Sequence, residues 1–224
     1  GIPGDVIEIK KSQLWVNGKP ALVAPFMQTE YLVETDGRPL AEDFIQDSLG
    51  ININEATADF QFVEGQPNIF KLNLTASAAA SLKRLPNVKS VVLFEDQNVG
   101  YTFPNDITHF PWTADNFGPI RIPKKGDQIQ LNDSTIELYR RVIEGYEQQK
   151  LTTQNGQYFI NGKATSTYTI QENYYWMMGD NRHRSQDSRY WGFVPETHIV
   201  GRAALIWFSY SQSIRWNRLF NLIK

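Results

Sequence analysis

The spacing of apolar and polar positions changes several times along the chain. In "DVIEIKK" apolar residues alternate with polar ones from Val6, and "LWVNGKPAL" carries an Asn17-Gly18 pair. Alternation with a period of two buries one face of a strand, and Asn-Gly is a strong two-residue turn signal, so the first twenty residues predict a β-hairpin. "FMQTEYLVETDG", from Phe26 to Gly37, alternates like a second strand. In "RPLAEDFIQDSLG" the period lengthens: Leu40, Phe44, Ile45 and Leu49 fall at helical spacing, with Gly50 placed as a stop. "ADFQFVEG" and "NIFKLNLT" predict strands separated by Gly65-Gln66-Pro67. "TASAAASLKRLPN" predicts a helix with Thr75 as N-cap and Pro86 just past its end, and "NVKSVVLFED" a closing strand. Strand, helix, strand, strand, helix, strand is the order of a split βαβ, ferredoxin-like unit. A small α+β subdomain is therefore expected over residues 25–96.

The next stretch, "NVGYTFPNDITHFPWTADNFGPIRIPKKG", follows neither period. Its four prolines and five aromatics predict a long ordered loop packed on the rest of the molecule. Beyond it the opening pattern returns faintly. "IPGDVIEI" is echoed by "IPKKGDQIQL" at Ile122 to Leu131, and "QLWVNGKPA" by "QYFINGKAT" at Gln157 to Thr165. Between the two echoes, "DSTIELYRRVIEGYEQQ" predicts a helix capped by Asp133 or Ser134, with Ile136, Tyr139, Val142, Ile143 and Tyr146 on one face. The final "SYSQSIRWNRLFNLIK" mixes Trp216, Leu219, Phe220 and Ile223 with Arg215, Arg218 and Lys224. It reads equally as a last element docked on the core and as a basic amphipathic tail for a membrane surface.

Composition narrows the classes. Of 224 residues, 41% are hydrophobic and 13% aromatic, enough to build packed cores. The net charge of −2 is not the clustered basic face that nucleic acid requires. With no cysteine there is neither a disulfide nor a thiol nucleophile. His109, His183 and His198 lack the spacing of metal ligands, so neither a metal nor another cofactor is expected. No apolar run reaches the ~18 residues of a membrane-spanning helix.

Candidate chemistry concentrates in "YYWMMGDNRHRSQDSRYWGFVPETHIVGRAALIWFS", Tyr174 to Ser209, where two apolar runs flank a polar segment. Gly179 permits a turn or a close backbone approach. Asp180 and Asn181 readily bond local backbone in turns. Asp187 and Arg189, two apart, point to one side of an extended segment as an opposite-charge pair. From these residues alone the segment is a hydrogen-bonded, charge-paired connection, with a plain solvated loop as the simpler reading.

"GDNRHRSQDSRYWGFVP" resembles the C-terminal signature of bacterial type I signal peptidases, G-D-N-R-x-x-S-x-D-S-R-x-[WY]-G-x-[IV], at every fixed position. "IVGRAALIWFS" resembles the closing strand of that family, and "GIPGDVIEI" the tail of its G-x-P-G-D block, in the right order. The resemblance implies a membrane-anchored serine endopeptidase of the bacterial cytoplasmic membrane, acting on its outer face on the signal peptides of exported preproteins. It implies a serine–lysine dyad without a cofactor. A lysine serves as base only when it is neutral near pH 7, which burial away from water achieves. The family's nucleophile lies in an S-x-M-x-P block and its lysine a few residues before G-x-P-G-D. Neither stands in this sequence, which reads as a piece of a longer chain, inactive alone. By carry-over, Ser185 matches the serine that hydrogen-bonds the lysine, Asp187 and Arg189 the ion pair that braces it, and Gly179, Asp180 and Asn181 the turn beside it.

The fold implied is mainly β, an incomplete signal-peptidase-like barrel or sheet core with an inserted ferredoxin-like βαββαβ subdomain. Residues 1–24 and 166–224 are assigned to the catalytic β domain, 25–96 to the α+β insert, and 97–165 to a second insert of loop, helix and hairpin. The membrane surface is expected as a partner through an anchor outside this sequence, with Trp216 and Phe220 as candidates for a second contact. Two other classes stay open: an inactive relative that binds peptides or envelope partners, and a self-cleaving repressor with a related β fold.

Overall fold

The computed structural model describes residues 1–41, 43–49, 51, 59–211 and 213–223. It is mainly β, built of several short sheets with no closed barrel among the described residues. The chain opens with a meander rather than a single hairpin: β1 (Val6–Lys10), β2 (Gln13–Val16) and β3 (Lys19–Pro20). Asn17-Gly18 makes the second turn, as its sequence predicts. The first is made by Lys11 and Ser12, both at positive φ (49° and 65°), values usually left to Asn or Gly in a two-residue turn. Ile7 and Ile9 face inward from β1, whose free edge pairs with β8 (Phe117–Arg121).

Residues 28–93 form their own four-stranded sheet. β4 (Gln28–Thr35), β5 (Phe60–Val63), β6 (Gln66–Thr75) and β7 (Val88–Leu93) lie in the order β5-β6-β4-β7, all neighbours antiparallel. That is the order of a split βαβ unit. Helix α1 (Ala76–Leu82) is capped by Thr75, whose hydroxyl accepts the Ala78 N–H. The expected first helix is shorter than its pattern, a single wide turn over Phe44–Ser48. Its expected stop, Gly50, lies outside the described residues. Val33, Phe70, Leu72, Leu74, Leu82 and Val91 fill this unit's core.

A second core gathers the remaining elements. Residues 97–116 wrap it without regular structure, and Phe103 inserts from that wrap. α2 (Asp133–Arg140) continues into a wider helical stretch to Tyr146, laying Ile136, Tyr139, Val142 and Ile143 against Ile7, Phe117, Tyr174 and Phe193. The cap is Asn132 rather than Asp133 or Ser134. Asn132 is extended (φ −150°) and its side chain accepts from the Ser134 and Thr135 amides, while the Thr135 hydroxyl reaches back to the Asn132 N–H. Residues 97–165 thus share one core with the segments on either side.

The echo noted in the sequence is structural in its second half. After β9 (Gln128–Gln130), strands β10 (Leu151–Gln154), β11 (Gln157–Ile160) and β12 (Lys163–Ala164) repeat the opening meander, here with Asn-Gly at both turns. β13 (Thr167–Thr169) pairs with β9, and β14 (Tyr174–Tyr175) with β15 (Val194–Pro195). Toward the end of the chain, Leu205–Ile206 pairs with Asn221–Leu222, and Trp207, Tyr210, Trp216, Phe220 and Leu222 stand exposed.

Candidate functional site

β14 and β15 are the two legs of the polar segment. Their pairing closes residues 176–193 into one excursion, anchored at its base by Trp176 and Phe193, whose rings pack edge to face at 5.8 Å. At its centre, α3 (Ser188–Trp191) makes one short turn capped by Asp187.

Asp187 and Arg189 lie inside the protein, at 5% and 1% exposure, and Arg189 is the largest of the fully buried side chains. The guanidinium grips the carboxylate with both arms: Nε donates to Oδ1 and Nη2 to Oδ2, each at 2.9 Å. Oδ1 also accepts the Arg189 N–H at 3.2 Å, and Oδ2 the Gly179 N–H at 3.0 Å. Nη2 further donates to the Arg182 carbonyl. The fork of arginine matches the two carboxylate oxygens, and the extra donors complete the solvation that burial removes. The pair therefore fixes the backbone at Gly179, Arg182 and Arg189 at once.

Gly179 is required by contact rather than by backbone conformation. A Cβ there would lie 2.2 Å from Ser185 Oγ and 2.6 Å from Ser185 Cβ. Ser185 thus packs directly on the glycine backbone. Among the described residues its hydroxyl has no hydrogen-bond partner, although the side chain is half-buried. Ser188 turns inward instead, and its Oγ accepts the Met177 N–H at 2.9 Å. An open depression of about 610 Å³, of mixed polar and apolar lining, lies at Ser185, bounded by His183, Arg184, Gln186, Tyr190 and Trp191.

Asp180 and Asn181 bond to the split βαβ unit. The Asp180 main-chain carbonyl accepts the Gln28 N–H at 2.9 Å, and Asn181 Nδ2 donates to Gln28 Oε1 at 3.4 Å. Of the six residues singled out from the sequence, Gly179, Ser185, Asp187 and Arg189 form one packed group and Asp180 and Asn181 a second, neighbouring one.

Three residues of this neighbourhood, His183, Asp115 and Arg182, were not singled out from the sequence. His183 has a 5% exposed side chain, and its Nε2 lies 2.7 Å from Oδ2 of Asp115, itself 1% exposed. Burial pushes the Asp115 carboxyl up, but the His183 ring and the Asp96 N–H at 2.7 Å outweigh it and hold the group below the usual carboxylate range. Arg182 runs between Met27 and Met178, its guanidinium nitrogens at 3.1 and 3.4 Å from their sulfurs. Burial, then the charge of Arg189, lower its pKa. No local pattern signals Asp115 or His183, since they stand 68 positions apart.

Among the described residues no helix is long and apolar enough to cross a membrane. The family model for signal peptidase, peptidase S26, matches residues 119–208, which include the end of β8, all of α2 and the whole polar excursion. Signal peptidase I of Haemophilus influenzae is 43% identical over 114 residues, covering 47% of this chain and 29% of that protein. Signal peptidase I of Buchnera aphidicola subsp. Acyrthosiphon pisum is 48% identical over 108 residues, 42% of this chain and 34% of the relative. That of Aquifex aeolicus is 55% identical over 42 residues, 19% and 16% of the two chains. The chain spans about a third or less of the length of these relatives. No solved structure matches.

Proposed function

We propose, from the match of residues 119–208 to the signal peptidase family and the similarity to signal peptidase I proteins, that the protein is a peptidase removing signal peptides from exported preproteins. The observation that carries the reading is the group around Ser185. A hydroxyl with no partner among the described residues is held against the Gly179 backbone by a buried, doubly bonded Asp187–Arg189 pair. Such a hydroxyl suits the task of holding a neutral lysine amine in place. An amine serves as general base only with its proton removed and its lone pair aimed, and a fixed hydroxyl supplies the aim. Ser185 would hydrogen-bond the lysine, the nucleophile would be a second serine, and Asp187 and Arg189 would act only by keeping the loop in shape. No S-x-M-x-P block stands in these 224 residues, so this reading takes the serine–lysine dyad from sequence outside them. In this reading residues 25–96 are an insert, and the exposed Trp216 and Phe220 are the candidates to meet a membrane surface.

Two measurements test it. In a protein that joins this chain to the dyad, Ser185→Ala should lower kcat on a preprotein with an Ala-x-Ala site by about tenfold or more, with the melting temperature little changed. Wild-type turnover in that variant removes Ser185 from its role. The 224 residues alone should leave the same preprotein uncut, and robust cleavage would put both nucleophile and base inside them.

A further inference from the structure

The split βαβ unit meets the rest of the molecule at one buried polar seam, and His183 is its centre. On one side, Nδ1 of His183 lies 2.9 Å from the Glu30 N–H, which donates to it, and 2.9 Å from Thr29 Oγ1. Both residues belong to β4 and both are buried. On the other side, Nε2 donates to Asp115. Because Nδ1 accepts a backbone N–H, the ring's proton sits on Nε2, and the imidazole is a rigid two-ended link. Phe94, just past β7, packs edge-on against the ring at 5.7 Å.

The rest of the seam repeats this arrangement. Gln28, at the start of β4, binds Asp180 and Asn181. Asp96, just past β7, donates its N–H to Asp115. Arg184 is 2.9 Å from Asp59 and 3.5 Å from Glu30, whose carboxylate also meets Lys71 at 2.9 Å. Both strands by which the chain enters and leaves the unit therefore end on the loop 180–184 or on Asp115. That loop leads within one residue to Ser185.

We infer that His183 is a positioning residue: through it, the βαβ unit holds the 180–184 loop, and with it Ser185, in place against Gly179. The inference rests on the proposed role of Ser185 for its catalytic consequence, but the coupling itself is measurable without any activity. The unit then acts on the reaction at a distance, touching neither substrate nor nucleophile. A buried ring with both nitrogens engaged transmits position because losing either bond leaves a buried polar group unpaired.

The test is amide hydrogen exchange on the 224-residue protein. His183→Ala should speed exchange at Gly179 and Arg184 at least about tenfold, while β1 amides keep their protection. His183→Gln, whose side-chain oxygen and nitrogen can accept from Glu30 and donate to Asp115, should restore most of it. Unchanged protection at Gly179 and Arg184, with the Glu30 amide exposed, overturns the inference. If His183→Ala unfolds the protein, as loss of β1 protection would report, Gln28→Ala cuts the adjacent seam bonds. It must then give the same local rise, and its absence is equally decisive. In a protein joined to the dyad, His183→Ala should lower kcat with KM unchanged and His183→Gln should recover it. Normal kcat beside accelerated exchange would overturn the catalytic consequence and leave the seam standing. Loss of cleavage in the dyad-bearing wild type would instead sink the peptidase reading.

Discussion

Replacing Asp187 by Ala tests the frame on which the candidate site hangs. The substitution deletes the acceptor of four N–H donors, the Gly179 and Arg189 amides and two guanidinium nitrogens, and leaves a cation at 1% exposure without its counter-charge. Breaking a buried pair from one side costs about 3–5 kcal/mol, because the surviving charge can neither be solvated nor neutralised. For a chain of this size each kcal/mol lowers the midpoint by about 2–4 °C, so the expected fall is roughly 6–20 °C. The two hydrophobic cores are separate, so the loss belongs to the transition of the core containing Trp176 and Phe193. Near-ultraviolet circular dichroism through a thermal or urea ramp reads it. The double variant Asp187→Ala/Arg189→Met removes the stranded charge as well, and should be less destabilised than the sum of its single variants by about 2 kcal/mol or more. A single-variant cost under about 1 kcal/mol, or strict additivity in the double, would mean that water reaches Arg189 and that the pair does not brace the loop.

Gly179→Ala should cost about 1–3 kcal/mol through its clash with Ser185, and Ser185→Gly in the same chain should recover most of that in a melt, whereas Ser185→Ala should not, because Cβ itself is in the way. Burial raises Tyr139 from its usual value to about 12. Its neutral form is favoured by folding, so that contribution is complete below the unfolded value near 10 and is lost as pH rises toward 12. Urea midpoints between pH 9 and 12 should therefore fall more steeply for the wild type than for Tyr139→Phe, and parallel curves would refute it.

The strands were legible wherever apolar and polar residues alternate, as in β1, β4 and β6, even where burial reaches the polar face at Glu30 and Asn73. Thr75 was legible as a cap because it stands directly before an alanine run. The turn at Lys11-Ser12 was not, since neither residue favours positive φ and pairing of β1 with β2 imposes it. The Asn132 cap was missed by one residue because Asn, Asp and Ser stand in a row with similar capping chemistry. In the site, Asp187 and Arg189 were readable as a charge pair but for the wrong reason: the expected extended segment is a helical turn, and Arg189 folds back from it onto the carboxylate that caps it. The Gly179–Ser185 contact was only allowed for, and the seam was invisible: Thr29, Asp115 and His183 meet across separations of 68 to 154 residues. Local pattern carries period and caps, while such meetings are decided by how whole units dock.

β4 and β7 are neighbours in their sheet, with Tyr31 opposite Leu93 near the points where the chain enters and leaves the unit. Those two points therefore lie about one strand spacing apart, ~4.8 Å. A gap that narrow can be bridged by a tight turn, which makes the βαβ unit a cassette: it can be lifted out, or exchanged for another with paired ends, without stretching the core beneath. The cassette is removable in geometry but not in chemistry, because the imidazole left behind would face water where Thr29 and Glu30 had been.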